Sequence, residues 1–362
     1  LMNDNKASKN SIVAKFAVPI SFLILFFLAA NFTDCDLVTF WKRRNHLTDL
    51  VVDMIPPDFS YIQKILLPLF YTIQMSVTGT VLGTFFALVL SPFGAANLEF
   101  PAVMRRILRI VIQILRSFPA LILALTATFL FGLGTFAGTF AITLYTFAIM
   151  TKLTYEDASA ADVKAYQALR AMGVSKYVAY IHGILPEIIP GFLTNALYLL
   201  ETNVRHSSIL GYVGAGGIGL LLNEKISWLE YDKVGTILLM LFLTVCVIEY
   251  FSRYLAALIR KERTIKKEQA RLLILFLAAL FLICTFTLSL PDFSRTSPQT
   301  LRNMFAGFLQ PDWSFFFSAE KDGLGYLLLE TVCIAFIGTV IGAIVSAPLA
   351  FLNPKRFVPA PV

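Results

Sequence analysis

The chain has 362 residues, 57% of them hydrophobic and only 15% charged, with mean hydropathy +0.73 and a formal charge of +7. A soluble domain carries nearer a quarter charged residues, so the composition excludes an ordinary soluble protein and points into a membrane. The basic excess raises a nucleic-acid reading, but the Lys and Arg sit beside apolar spans, where they serve as an orientation signal.

A helix needs about 20 apolar residues to cross a bilayer. In chain order, spans are predicted at 16–33, 66–91, 117–133, 136–153, 188–209, 234–257, 271–289 and 324–350. Backbone groups must pair internally in lipid, and the period-two alternation of a barrel is absent. The expected fold class is therefore all-α, a polytopic transmembrane helical bundle. The first span follows Lys6, Lys9 and Lys15 like a signal peptide, but a similar segment recurs at 271–289, where no signal peptide acts. The stretch Arg116-Ser117-Phe118-Pro119 marks a helix break, with Pro119 suited to start a new helix. The four Cys form no CxxC pair and no metal spacing.

Placing the N-terminus in the cytoplasm and alternating puts 19 of the 30 Lys and Arg inside and nine outside, while Arg205 and Arg253 fall in spans. The basic loop 154–187 is then cytoplasmic. The chain also repeats itself. Pro57-Asp58-Phe59-Ser60 returns as Pro311-Asp312-Trp313-Ser314, and Gly79-Thr80-Val81-Leu82-Gly83 as Gly338-Thr339-Val340-Ile341-Gly342. Residues 1–262 read as one complete unit of six spans. Residues 263–362 read as the start of a second, parallel unit with two spans, the charged stretch Arg260–Lys267 linking them. The second copy stops at Val362 before any counterpart of the 154–187 loop, which reads as a truncation. Each pentapeptide is a small-xxx-small pattern that lets membrane helices approach closely, chiefly within its own unit.

The most informative motif is Gln167-Ala168-Leu169-Arg170-Ala171-Met172-Gly173, followed after nine residues by Gly183-Ile184-Leu185-Pro186. Asp162 suits the N-cap of a helix running to about Met172, and Gly173 suits a left-handed stop. Ser175 can cap a second short helix that ends at Gly183 and Pro186. Tyr166, Leu169 and Met172 fall at helical spacing, an apolar edge offered to a partner groove. The motif resembles the cytoplasmic coupling loop of ABC-importer permeases (Glu-Ala-Ala, three residues, Gly, nine residues, Ile-x-Leu-Pro). Gln167, Leu169 and Gly183 depart from that pattern, but they match the phosphonate-importer branch, which reads similarly to "ALRAMGVSK…GILPEIIP".

One span further on come Glu201-Thr202-Asn203-Val204-Arg205-His206 and Gly211-Tyr212-Val213-Gly214-Ala215-Gly216-Gly217-Ile218-Gly219, which resemble the same family. Glu201 and Arg205 sit at i and i+4 with Glu first, the favourable order for a helix ion pair. Charges at membrane depth face a bundle interior or a water-filled path. Glu201, Asn203 and Arg205 are thus candidates to line a translocation path, with Arg205 offering paired donors to an anion. A structural ion pair is the competing reading. His206 reads as a satisfied polar residue near the outer surface. The glycine run formally contains GxGxxG, but it follows a membrane span rather than a strand, so it holds no dinucleotide. Gly211, Gly214, Gly216, Gly217 and Gly219 instead suit an irregular segment at the outer mouth, covered by protein or water.

GxxxxGK[ST], HExxH and GxSxG are all absent, so no catalytic residue and no metal site is expected. The family resemblance implies a permease in the cell (inner) membrane that binds no cofactor itself. It implies an ATP-binding subunit dimer docked on Gln167, Ala168, Leu169, Ala171, Gly173, Leu185 and Pro186, with ATP held by that partner. It also implies an extracytoplasmic substrate-binding protein, a second permease half (fused or separate), the lipid bilayer as surroundings and no nucleic acid. The implied cargo is phosphonate or a similar small oxyanion. The alternatives are an ABC permease for a different small solute, or a secondary transporter or channel built from parallel repeats.

Overall fold

The structure, a computed structural model, describes residues 21–35, 37–262, 266–289, 302, 303, 306, 307, 310, 313–318 and 323–351. Lys6, Lys9, Lys15, Arg263, Arg295, Pro311, Asp312, Lys321, Lys355 and Arg356, on which part of the orientation and repeat readings rest, lie outside the described residues. Among the described residues the regular structure is helical throughout. The longer helices are α1 (Ser21–Phe32), α2 (Leu37–Lys42), α3 (Arg44–Asp53), α4 (Ile62–Leu90), α5 (Ala102–Ser117), α6 (Ala120–Phe131) and α7 (Thr135–Ala160). They continue with α8 (Lys164–Ala171), α9 (Lys176–Gly183), α10 (Leu185–Leu210), α11 (Ile218–Ser227), α12 (Tyr231–Ile259), α13 (Lys267–Phe286), α14 (Trp313–Phe316) and α15 (Leu324–Phe351).

Among the described residues, five helices are long and apolar enough to cross a membrane unaided, and two bent pairs bring the number to as many as seven. The five match the expected spans 66–91, 136–153, 234–257, 271–289 and 324–350. The expected span at 117–133 is different. Its helix α6 has only 12 residues, about 18 Å at 1.5 Å per residue, short of the roughly 30 Å hydrocarbon core. It meets α5 at 94°. The break falls where expected, at Phe118 and Pro119, but Pro119 is the N-cap residue rather than the first helical one. Pro119 has no N–H and forces Phe118 into an extended conformation, so α5 cannot run on. Gly132 and Gly134, both at positive φ, end α6 and turn the chain back into α7.

Many polar residues inside these apolar helices satisfy themselves locally. Thr72, Ser76, Thr80 and Thr84 each donate to the carbonyl four residues back in α4, and Thr139 and Thr143 do so in α7. The rest of that α4 face is small. A Cβ at Gly79 would lie 2.7 Å from Ile142, and one at Gly83 would lie 2.7 Å from the Thr143 carbonyl oxygen. The first small-xxx-small pattern therefore lets α4 and α7 pack backbone to backbone within one unit.

The described chain divides into two compact units, residues 1–49 with 303–362, and residues 50–302. In the first, α1 lies on α15 through Phe22 on Phe336 and Phe32 on Tyr326. In the second, α13 packs on α4, where buried Gln74 donates from Nε2 to the Cys284 carbonyl (3.0 Å) and to Thr287 (2.8 Å). α1 and α15 thus share one unit, and α4 and α13 the other.

Candidate functional site

The α8–α9 loop forms the expected helix–turn–helix. Gly173 takes a left-handed φ of +83°. The N–H of Gly173 donates to Arg170 and that of Val174 to Leu169, so the last carbonyls of α8 are satisfied in a Schellman turn. Asp162 accepts from the Lys164 N–H at 3.0 Å, and that bond holds its carboxyl below the usual range. Pro186 sits in the first turn of α10, where its missing N–H costs nothing. Gly183 ends the second short helix as expected and has a further role. It is the last residue of α9, and a Cβ there would lie 2.8 Å from the Tyr166 backbone nitrogen, so it sets the close approach of α8 to α9.

The apolar edge of α8 also faces the other way. Tyr166 is buried against Ala179, Tyr180, Ile184 and Ile188, with Leu169 packed beside it. Only Met172 of that trio stands out, 70% exposed. The face α8 presents is instead Gln167, Ala168, Ala171 and Met172, next to Gly173. Leu185 is only partly exposed and Pro186 exposed. Behind the loop Arg170 donates to Glu99 through Nε and Nη2, both at 3.0 Å, and to the Val174 carbonyl, while Lys176 donates to the Glu99 carbonyl. Glu99, which sequence reasoning passed over, pins the loop to the corner after α4. Its one signal is an acid alone beside a strongly basic segment.

At the centre of the bundle Asn203 is fully buried and donates to Thr80 and Thr146, both at 2.8 Å. Ser207, one turn on, meets Ser76 at 2.7 Å. Ser76 is the middle residue of α4 and Thr146 lies near the middle of α7, so Asn203 and Ser207 of α10 lie level with the middles of those helices. Asn203 is thus a clamp joining α10 to α4 and α7. Removing it should lower stability by about 1–3 kcal/mol for the two bonds. Thermal unfolding of Asn203→Ala in detergent checks this; an unshifted midpoint would show the clamp to be inert.

Glu201 and Arg205 form the expected ion pair. The carboxylate is mostly covered (side chain 13% exposed), whereas the Arg205 side chain is 50% exposed. His206 does not sit at a surface. It is half-buried beside the Tyr145 ring, 5.3 Å between centroids, with Nδ1 unpartnered.

The glycine run lies at the end of α10 opposite the α8–α9 loop. Gly214, Gly216 and Gly217 take φ of +80°, +80° and +74°. The Gly134 N–H donates to the Gly214 carbonyl, and the Ile218 N–H to Thr72 Oγ1 at 2.8 Å. Gly211 and Gly219 face each other where α10 ends and α11 begins. A Cβ on Gly219 would lie 1.8 Å from the Ser208 carbonyl oxygen, and one on Gly211 2.3 Å from the Leu220 nitrogen. The segment is irregular and protein-covered, as an unpaired backbone in a membrane must be. Buried Lys225 secures its far side, held between Glu224 (3.0 Å) and Glu230 (2.9 Å) and over the Trp228 ring. Burial works against that ammonium, but the bonds to Glu230 and Glu224 outweigh it and keep its pKa above the lysine range.

A multi-pass helical bundle with a pinned helix–turn–helix at one end of a central span, a packed glycine turn at the other and an ion pair between them defines a membrane transport subunit. The chain belongs to the family of binding-protein-dependent transport system inner membrane components, whose profile matches residues 79–264. It is a permease of the ABC-importer type, and that family is one of transport proteins rather than enzymes. It is 31% identical over 217 residues to the phosphite transport system permease protein PtxC of Stutzerimonas stutzeri, covering 60% of this chain and 79% of that one. It is 31% identical over 203 residues to the phosphate-import permease protein PhnE of Mycolicibacterium smegmatis, covering 56% of this chain and 38% of that one. A solved inward-facing structure of the MetNI methionine ABC transporter shares the fold, with TM-score 0.50, 21% identity, 56% of this chain and 99% of that one.

Proposed function

We propose that this permease imports phosphonate or a similar small oxyanion, handed to it by a separate binding protein. The observation that carries the reading is the identity shared with permeases named for phosphite and phosphate transport. The half-exposed guanidinium of Arg205, between Asn203 and Ser207 in α10, supports it, because such a charge needs a polar path and offers an anion paired donors. An ATP-binding subunit dimer docks on Gln167, Ala168, Ala171, Met172 and Gly173 at the cytoplasmic end, with Leu185 and Pro186 setting the loop against α10. The binding protein docks at the glycine end. The N-terminus is cytoplasmic, and residues 1–262 and 263–362 correspond to two parallel permease copies, so the second half is fused or supplied by another chain.

The test is uptake of labelled methylphosphonate by cells expressing the complete reading frame with its neighbouring genes, with unlabelled phosphite, phosphate and methionine as competitors. The reading expects uptake that needs this chain and that phosphite or methylphosphonate suppresses. Suppression by none of the phosphorus oxyanions would remove the substrate assignment and leave the permease class.

A further inference from the structure

The α10 ion pair has a twin on the neighbouring helix. In α12, which packs antiparallel to α10, Glu249 and Arg253 stand at i and i+4 with Glu first and form an ion pair. Glu201 of the first pair and both members of the second line one groove of about 300 Å³ between the helices, together with Thr194, Tyr198, Ser252 and Arg260. Glu249 lines the groove across from Glu201. The opposite side of the same two helices is apolar, with Leu193, Ala196 and Leu200 against Leu255 and Leu258.

Two features of the groove point to a ligand. The Arg253 side chain is 77% exposed although it belongs to a membrane span, a placement that demands a polar neighbour. Ser252 is only 5% exposed, lines the groove, and its hydroxyl has no hydrogen-bond partner. A buried hydroxyl left unpaired is unfavourable, so a group that accepts its proton is favoured there. A guanidinium fork beside a free hydroxyl suits a tetrahedral oxyanion, whose oxygens accept both kinds of bond. The two carboxylates opposite keep the arginines paired when no anion is bound and weaken its hold, so that it can leave.

We propose that this groove is an anion-binding station on the translocation path, in which Arg253 and Ser252 hold a small oxyanion, with Arg260 beside them. The inference rests on the oxyanion reading given above. Two measurements separate them. In cells, Arg253→Gln should cut methylphosphonate uptake at least about tenfold with the protein still inserted, and Arg253→Lys should recover part of it. The charge swap Glu249→Arg with Arg253→Glu keeps the ion pair but moves the guanidinium, so it should stay defective. In the purified full chain, methylphosphonate should raise the melting temperature of the wild type more than chloride does, and Arg253→Gln or Ser252→Ala should abolish that rise. Normal uptake by Arg253→Gln, or rescue by the swap, would overturn the station while leaving the oxyanion importer intact. An Arg253-dependent anion shift without wild-type uptake would do the reverse.

Discussion

Ala168→Glu combined with Ala171→Arg should leave the protein inserted and folded but reduce uptake by at least about tenfold. Both residues lie on the exposed face of α8, so larger side chains enter open space rather than the core. The loop behind them is held independently by buried Tyr166, the Arg170–Glu99 pair and the Gly173 turn. A docking partner that meets two alanines meets a flat surface, and two long charged side chains block its approach. Disrupting the centre of an interface commonly costs 2 kcal/mol or more, and each 1.4 kcal/mol is tenfold in affinity. Co-purification of the ATP-binding subunit should fall in parallel with uptake. Retained co-purification and normal uptake would show that α8 is not the docking face.

Gly219→Ala should be the most damaging single methyl added to a glycine among the described residues. Its Cβ would sit 1.8 Å from the Ser208 carbonyl oxygen, and that neighbour is backbone, which cannot rotate aside. The end of α10 and the start of α11 must separate. Overpacking a side-chain contact costs about 1–3 kcal/mol, and a backbone contact belongs at or beyond the upper end. Gly217→Val adds a left-handed strain of roughly 1–2 kcal/mol to a contact 2.7 Å from Thr72 Oγ1. At Gly216 the φ strain is the same, but the nearest atom is 3.3 Å away, so Gly216→Val should be the mildest of the three. All three should still insert, because the spans are untouched, with uptake and melting temperature falling in the order Gly216→Val, Gly217→Val, Gly219→Ala. Near-wild-type uptake by Gly219→Ala would show that the two helix ends are loose.

The stretches legible from sequence are those where one residue type satisfies a local backbone demand. Gly173 ends α8 because only a left-handed residue closes the Schellman turn, and Pro186 opens α10 because the first turn needs no N–H there. The long uncharged runs were readable because lipid leaves the backbone no choice but helix. Facing was not legible. Tyr166, Leu169 and Met172 share a helical spacing, but spacing says which residues lie together and not whether the core or a partner covers them. Here the bundle beneath α8 supplies its own cover, so the small residues face outward. The close approach of Gly183 to Tyr166 was hidden because it depends on two helices meeting. The pairing of Glu249 with Arg253 is not legible, because its meaning comes from lying across a groove from Glu201, 48 positions before Glu249. The bend at Phe118 and Pro119 was foreseen, but not that α5 before it is a separate helix at nearly a right angle.

We propose a conduit driven by ATP on a partner rather than by an ion gradient. The most direct measurement is uptake into proteoliposomes containing the chain, its ATP-binding subunit and its binding protein, with ATP inside compared with a proton or sodium gradient alone. Labelled substrate should accumulate only with internal ATP, and not when the ATP-binding subunit is left out. Gradient-driven accumulation without that subunit would contradict it.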